Sequence, residues 1–175
     1  MKKNIVLIGY MGCGKSSIGR SLAALLQMNY VDLDDYIEDQ EKQSIAQIFN
    51  DKGEVYFRKA ETTALQTCLT ALENTIISLG GGTPCFGNNM DTITNDQNSS
   101  SIYLQTSVPE LSKRLFTQKD KRPLISHIKS TPELEEFVGK HLFERNTFYM
   151  KAKHIVKTDD KTLQQVVDEI KDLVS

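Results

Sequence analysis

Along the chain, short apolar runs alternate with longer stretches whose apolar positions recur every three or four residues. This pattern predicts βαβ units around a parallel sheet. The strand candidates are residues 5–8, 30–33, 75–79, 102–104 and 154–156. Several are continuous runs of β-branched residues and leucine, as expected where helices cover both faces of a sheet. Between them, Ile18, Leu22, Leu25 and Leu26 fall at i, i+4, i+7 and i+8, the spacing of one buried helical stripe. Ala60, Ala64, Leu65, Cys68 and Leu72 repeat it, and Leu163, Val166, Val167, Ile170, Leu173 and Val174 form a third stripe. These residues are expected in the core, without chemistry of their own. Residues 87–101, rich in Asn, Asp, Thr and Ser, read as a loop with room for a short helix. Residues 117–129, with a Lys/Arg/Asp cluster and a proline, read as a second loop. No repeat, linker or low-complexity segment interrupts the pattern, so one domain is expected over all 175 residues.

Composition narrows the function classes. With 39% hydrophobic and 25% charged residues, the chain is not of the disordered type. A formal net charge of −2 excludes a polycation built to coat nucleic acid, and no nucleic-acid partner is expected. The apolar run at 5–8 is far too short for a membrane span or a signal-peptide core, which predicts a cytoplasmic protein with no membrane partner. Cys13, Cys68 and Cys85 are odd in number and lack a C-x-x-C pair, in keeping with a reducing compartment. The three histidines are scattered without zinc-ligand spacing.

The strongest chemical signal is Gly9-Tyr10-Met11-Gly12-Cys13-Gly14-Lys15-Ser16, which matches G-x-x-x-x-G-K-[ST]. It lies directly after an apolar strand and before an amphipathic helix, where backbone N–H groups and the helix N-terminus converge on phosphate oxygens. Lys15 is placed to reach the β- and γ-phosphates and the Ser16 hydroxyl to bind Mg²⁺. Helix-terminal N–H groups can lower the thiol pKa of Cys13, but the simpler reading is that any small side chain fits there.

A phosphate loop alone does not separate a kinase from a GTPase or an ATPase. Downstream, Asp32 and Asp34 sit at i and i+2 after the second strand, so on an extended segment they share a face. One carboxylate can hold Mg²⁺ through water and the other can accept a hydrogen bond from an acceptor hydroxyl. Asp34 or Asp35 can equally cap the next helix. Arg58 precedes Glu61 by three residues, so on a helix the carboxylate can hold the guanidinium. Gly80, Gly81 and Gly82 end a strand; three glycines in a row are entropically costly unless a ligand must approach closely. No N-K-x-D guanine signature, D-x-x-G after a second strand or switch glutamine is present, which argues against a GTPase.

Taken in order, the phosphate loop at 9–16, Asp32-x-Asp34, Phe57-Arg58, Gly80-Gly81-Gly82, Arg122-Pro123-Leu124 and Arg145 resemble shikimate kinase, over residues 4 to about 156. The resemblance implies an α/β, three-layer P-loop kinase fold with a five-stranded parallel sheet flanked by helices. It also implies a substrate-binding helical segment at about 34–60 and a mobile lid at about 115–129. The implied activity is an ATP-dependent phosphotransfer to an alcohol, the 3-hydroxyl of shikimate, with Mg²⁺, on the route to chorismate and the aromatic amino acids.

Arg58 and Arg145 match the family's carboxylate-binding arginines; Asp34 matches the residue that holds the ring hydroxyls and assists deprotonation, and Asp32 the position associated with Mg²⁺. Gly81 and Gly82 match backbone contacts to substrate, with Gly80 as the turn before them. Gly12, Cys13, Gly14, Lys15, Ser16 and Ser17 match the nucleotide loop, Arg114 the arginine near adenine and Arg122 the lid arginine that meets the transferring phosphoryl group. Lys15, Asp34 and Arg122 are thus the expected catalytic set. Ile45, Phe49 and Phe57 resemble the apolar wall on the shikimate side. Residues 158–161 lack the arginine and proline that many relatives carry beside adenine. A monomer is expected from the size and the lack of an extra apolar segment. The rival readings are gluconate kinase, a nucleoside-monophosphate kinase, or a nucleotide-binding regulator without catalysis.

Overall fold

In a computed structural model, residues 3–174 are described. Five strands form one parallel sheet: β1 (Asn4–Ile8), β2 (Asn29–Asp32), β3 (Thr75–Ser78), β4 (Ser99–Gln105) and β5 (His154–Lys157), in the spatial order β2-β3-β1-β4-β5. The register runs Ile5 to Ile76 between β1 and β3, and Leu7 to Ile102 between β1 and β4. Ile5, Val6, Leu7 and Ile8 are all buried, as are Ile76, Ile77, Ile102, Tyr103 and Leu104, so the three inner strands are covered on both faces. β2 and β5 are the edges and bury less.

Seven α-helices flank the sheet among the described residues: α1 (Lys15–Leu26), α2 (Leu33–Glu41), α3 (Ile45–Ala71), α4 (Asn89–Asn95), α5 (Val108–Phe116), α6 (Thr131–Tyr149) and α7 (Leu163–Val174). α1 packs with α7, α2 with α3, and α5 with α6. α1 crosses the sheet closely at Gly19, where a Cβ would lie 2.5 Å from the Tyr30 ring and 3.2 Å from Leu7 Cδ1. Ser44, Ser107 and Ser130 cap α3, α5 and α6 through their hydroxyls. α3 is kinked at Gly53, whose φ of 82° and ψ of 171° are not helical.

Three expectations are corrected. β4 begins at Ser99, not residue 102, because Ser99 to Ser101 pair with Asn4 to Val6. The loop expected at 87–101 therefore ends in strand, after the short helix α4. Two helical stripes are narrower than their spacing suggested: Leu25, Leu163 and Leu173 are exposed, while Ile18, Leu22, Val166, Val167 and Ile170 are core. The N-cap of α2 is Asp32, whose carboxylate accepts from the Asp34 N–H at 3.0 Å, rather than Asp34 or Asp35.

Candidate active site

The carboxyl ends of β1, β2 and β3 are neighbours in the sheet, so the loops leaving them meet at one edge. β1 runs into the phosphate loop. Gly12 and Gly14 adopt φ of 81° and 98°, which an L side chain resists, and Gly14 hands the chain into α1. A Cβ at Gly12 would also strike Leu115 at 2.9 Å. Cys13 is buried under the loop, so its contribution to a bound phosphate is backbone only. The Lys15 ammonium donates to the Gly9 carbonyl at 2.7 Å and the Tyr10 carbonyl at 3.1 Å.

β2 ends on Asp32. Its second carboxylate oxygen lies 3.4 Å from the Ser16 hydroxyl, which donates to it. Capping by one oxygen thus leaves the other turned toward the phosphate loop. Asp34 is the second residue of α2, within 3.1 Å of where a Gly80 Cβ would stand. Burial, then the charges of Asp32 and Glu61, push the Asp34 carboxyl up from 3.8 to about 6, against the opposing pull of Lys15. An acid titrating there is poised as a proton acceptor near neutral pH.

β3 runs into Gly80-Gly81-Gly82, which leads to a 3₁₀ turn at Thr83–Cys85. A Cβ at Gly82 would stand 2.6 Å from Arg58 Nη2, and one at Gly81 would stand 3.3 Å from Arg145 Nη1. The triple glycine is therefore the surface on which two guanidinium groups, from α3 and α6, converge. Arg58 is held by Glu61 at 2.7 Å, as the i, i+3 spacing predicted. The predicted pair is not a solvated one: Glu61 is buried, and its other oxygen accepts from Thr83 Oγ1 at 2.6 Å. A buried carboxylate with both oxygens engaged is a rigid support for Arg58. Arg145 lies over the Tyr10 ring, 5.6 Å from its centroid, which ties α6 to the phosphate loop.

Between these walls is a cavity of about 330 Å³. Lys15, Ser16, Ser17, Asp32 and Asp34 line it on one side, Gly80 and Gly81 on another, and Gln118 and Arg122 enter from the segment after α5. Arg122 donates to Gln118 at 3.3 Å. Larger concavities lie between α2 and α3 and on the outer surface of α6, but neither is lined by the phosphate loop or by Asp32 and Asp34. Arg114 does not line the cavity: it pairs with Glu110 at 2.8 Å and reaches the Gly12 carbonyl at 3.4 Å, behind the loop. In the segment 158–161, Thr158 meets Thr106 at 2.6 Å and Asp159 accepts from Ser107, so these side chains brace α5. Phe57 is buried and stacks on the partly exposed Phe49 at 4.7 Å, with Ile45 packed nearby.

Ser16 and Asp32 offer hard oxygens next to the phosphate loop. Among the described residues no group of three or more His, Cys, Asp or Glu is arranged to cage a metal. A cation here would rest on one or two protein oxygens, phosphates and water, the mode that suits Mg²⁺. Residues that the sequence did not single out are Gln118, Thr83 and Tyr149. Tyr149 had one local signal, its position four residues after Arg145 on the same helix.

Comparison with known proteins gives one answer. The family model described as shikimate kinase matches residues 11–175. A shikimate kinase from Flavobacterium johnsoniae is 43% identical over 173 residues, 99% of both chains. Among solved structures, shikimate kinase from Bacteroides thetaiotaomicron superposes with a TM-score of 0.88 at 32% identity, covering 98% of each chain. The enzyme from Acinetobacter baumannii, solved in complex with shikimate, gives 0.84 at 30% identity, covering 99% of this chain and 93% of that one.

Proposed function

This chain belongs to the shikimate kinase family, and we propose how its residues divide the work of moving the γ-phosphoryl group of ATP onto shikimate. The reaction gives shikimate 3-phosphate and ADP, a step toward chorismate and the aromatic amino acids. One observation carries the assignment of roles. Asp32 and Asp34 share one cavity with Lys15 and Ser16, and the glycines that line it are flanked by two arginines.

ATP phosphates lie on the N–H groups of Gly12, Cys13, Gly14 and Lys15, with Ser17 beside them. The Lys15 ammonium leaves its carbonyl partners and takes the β/γ-phosphate oxygens. Ser16 and Asp32 would hold Mg²⁺, which would supply charge neutralisation on the phosphate oxygens. Arg58 and Arg145 clamp the shikimate carboxylate against Gly81 and Gly82, which aims the ring hydroxyls at Asp34. Asp34 orients the 3-hydroxyl and takes its proton as the oxygen attacks the γ-phosphorus. Arg122 approaches from the lid segment 115–129 and meets the charge spreading over the transferred group. Within that segment Leu115, Ile125 and Ile128 are buried while Leu124 is exposed, which supports a lid anchored on both flanks. Residues 34–60 make the substrate-binding segment, with Ile45, Phe49 and Phe57 as its apolar wall. Arg114, which reaches the Gly12 carbonyl at 3.4 Å, packs near the adenine.

No described helix is long and apolar enough to cross a membrane. The three cysteines are free, which supports work in a reducing cytoplasm, and we read the chain as a monomer.

The deciding assay is ADP release with shikimate, gluconate, a nucleoside monophosphate or no acceptor. Turnover with shikimate alone is expected, and turnover with gluconate instead would reject the carboxylate clamp as drawn. In the same assay, Arg58→Ala is expected to raise the shikimate KM by roughly 10–150-fold, about 1.5–3 kcal/mol for a charged hydrogen bond. A change confined to the ATP KM would place Arg58 on the wrong substrate. The pH profile gives a further test. With Asp34 titrating at about 6, kcat/KM for shikimate should fall tenfold per pH unit below that value, because the protonated acid cannot accept the proton. A profile flat down to pH 5 would remove Asp34 from the proton transfer.

A further inference from the structure

The structure assigns Tyr149 as a positioning residue for shikimate: its hydroxyl fixes the orientation of the Gly81–Gly82 peptide and thereby presents the Gly82 N–H to the substrate carboxylate. The inference rests on the reading of Arg58, Arg145 and the glycines given above, and extends it to a side chain with no contact to substrate.

Tyr149 is the last residue of α6 and is fully buried. A buried phenol needs a partner, and its O–H donates to the Gly81 carbonyl at 2.5 Å. Within the glycine turn the other carbonyls have local uses. Gly80 O accepts from the Thr83 N–H at 3.1 Å and Gly82 O from the Cys85 N–H at 3.0 Å. The Gly81 carbonyl is thus the one anchored from outside the turn. That anchor matters because a peptide between two glycines can rotate at little steric cost. The peptide is trans, so its C=O and N–H point in opposite directions. Holding the carbonyl toward α6 turns the Gly82 N–H away from it, at the residue whose missing side chain faces Arg58.

The tyrosine is itself held in place. Its ring packs on the Tyr103 ring at 5.1 Å between centroids. Burial pushes the Tyr149 phenol far above its ordinary pKa, against the charge and the hydrogen bond of the Arg145 guanidinium, so it remains a donor throughout the working pH range. Arg145 and Tyr149 lie one turn apart on α6, so the helix that delivers a carboxylate-binding cation also sets the peptide beside it.

The test compares Y149F, Y103F and R145A by steady-state kinetics with both substrates varied. Y149F is expected to raise the shikimate KM about tenfold, the effect of one misplaced hydrogen bond, with the ATP KM within about twofold. Y103F keeps the ring that packs on Tyr149 and loses only a hydroxyl bonded to Asn146 Oδ1 at 3.1 Å, away from the glycine turn, and is expected to match the wild type. An unchanged shikimate KM in Y149F, or equal rises for ATP and shikimate, overturns the assignment. R145A separates the two levels. If it weakens shikimate while Y149F is silent, only the role of Tyr149 fails; if R145A is also silent, the carboxylate site falls and this inference with it. Should Y149F not fold, 3-fluorotyrosine at position 149 keeps the ring and strengthens the donor. A shikimate Kd that shifts at constant ATP Kd then supports the assignment, and an unshifted one overturns it.

Discussion

Replacing Asp34 by asparagine is expected to lower kcat for shikimate phosphorylation by about 10²–10⁴-fold, the range for loss of a positioned base. The amide keeps the shape and can still meet a ring hydroxyl, so the shikimate KM should move much less than kcat. The same substitution should stabilise the protein. Burial and the neighbouring Asp32 and Glu61 raise the Asp34 carboxyl from 3.8 to about 6 in the folded chain. The native state therefore holds that proton more tightly than the unfolded state does. Stability is at its highest below the unfolded value and is lost as pH rises through the folded one, leaving a penalty at neutral pH. A shift of this size corresponds to a penalty of about 3 kcal/mol at most, which asparagine relieves because it carries no charge. A denaturant midpoint for Asp34→Asn above that of the wild type at pH 7, but not at pH 4, is the expected signature. Wild-type kcat in the variant would remove Asp34 as base. Equal stability at pH 7 would mean the carboxylate is not held against its own charge.

Lys15→Ala is expected to cost about 3–4 kcal/mol of transition-state stabilisation, roughly 10²–10³-fold in kcat, as for loss of one preorganised donor. Lys15 is already at the loop, held by the Gly9 and Tyr10 carbonyls, so its charge is in place before ATP arrives. Its removal has a second, opposite-facing consequence. Lys15 is the cation that holds the Asp34 pKa down, so Lys15→Ala should shift the acid limb of the pH profile to higher pH. Asp34→Asn should instead abolish that limb. Near-normal turnover in Lys15→Ala would refute its role, whatever the profile does.

The residues of the site differ in how far they could be read from the chain. Lys15 and Ser16 belong to one contiguous loop between a strand and a helix, so their function is written within eight residues. The pairing of Arg58 with Glu61 was also legible, since i and i+3 are neighbours on any helix. That Glu61 is buried and held by Thr83 was not, because Thr83 lies 22 residues away and reaches it only once β3 and α3 are packed. Tyr149 and Gly81 are 68 residues apart and meet for the same reason.

The fold shows the same division. Strands of continuous β-branched and leucine residues announced themselves. The polar start of β4 did not, because Ser99 and Ser101 are buried by partners: ladder pairing to β1, and the Lys153 N–H that donates to Ser101 Oγ at 3.0 Å. Leu25 falls on a core stripe by spacing, yet it is exposed.

A few adjacent residues encode the phosphate loop, the alternation of strand and helix, and the presence of the carboxylates, arginines and glycines proposed for the site. Packing sets the rest: which Asp32 oxygen caps α2 and which faces Ser16, the direction in which Asp34 is shifted, and what holds Arg58, Arg145 and the glycine peptide in place. The reason is that motif chemistry acts over a turn of chain. Burial, electric field and the fixing of a flexible peptide are instead set by atoms that only the folded topology brings within a few ångströms.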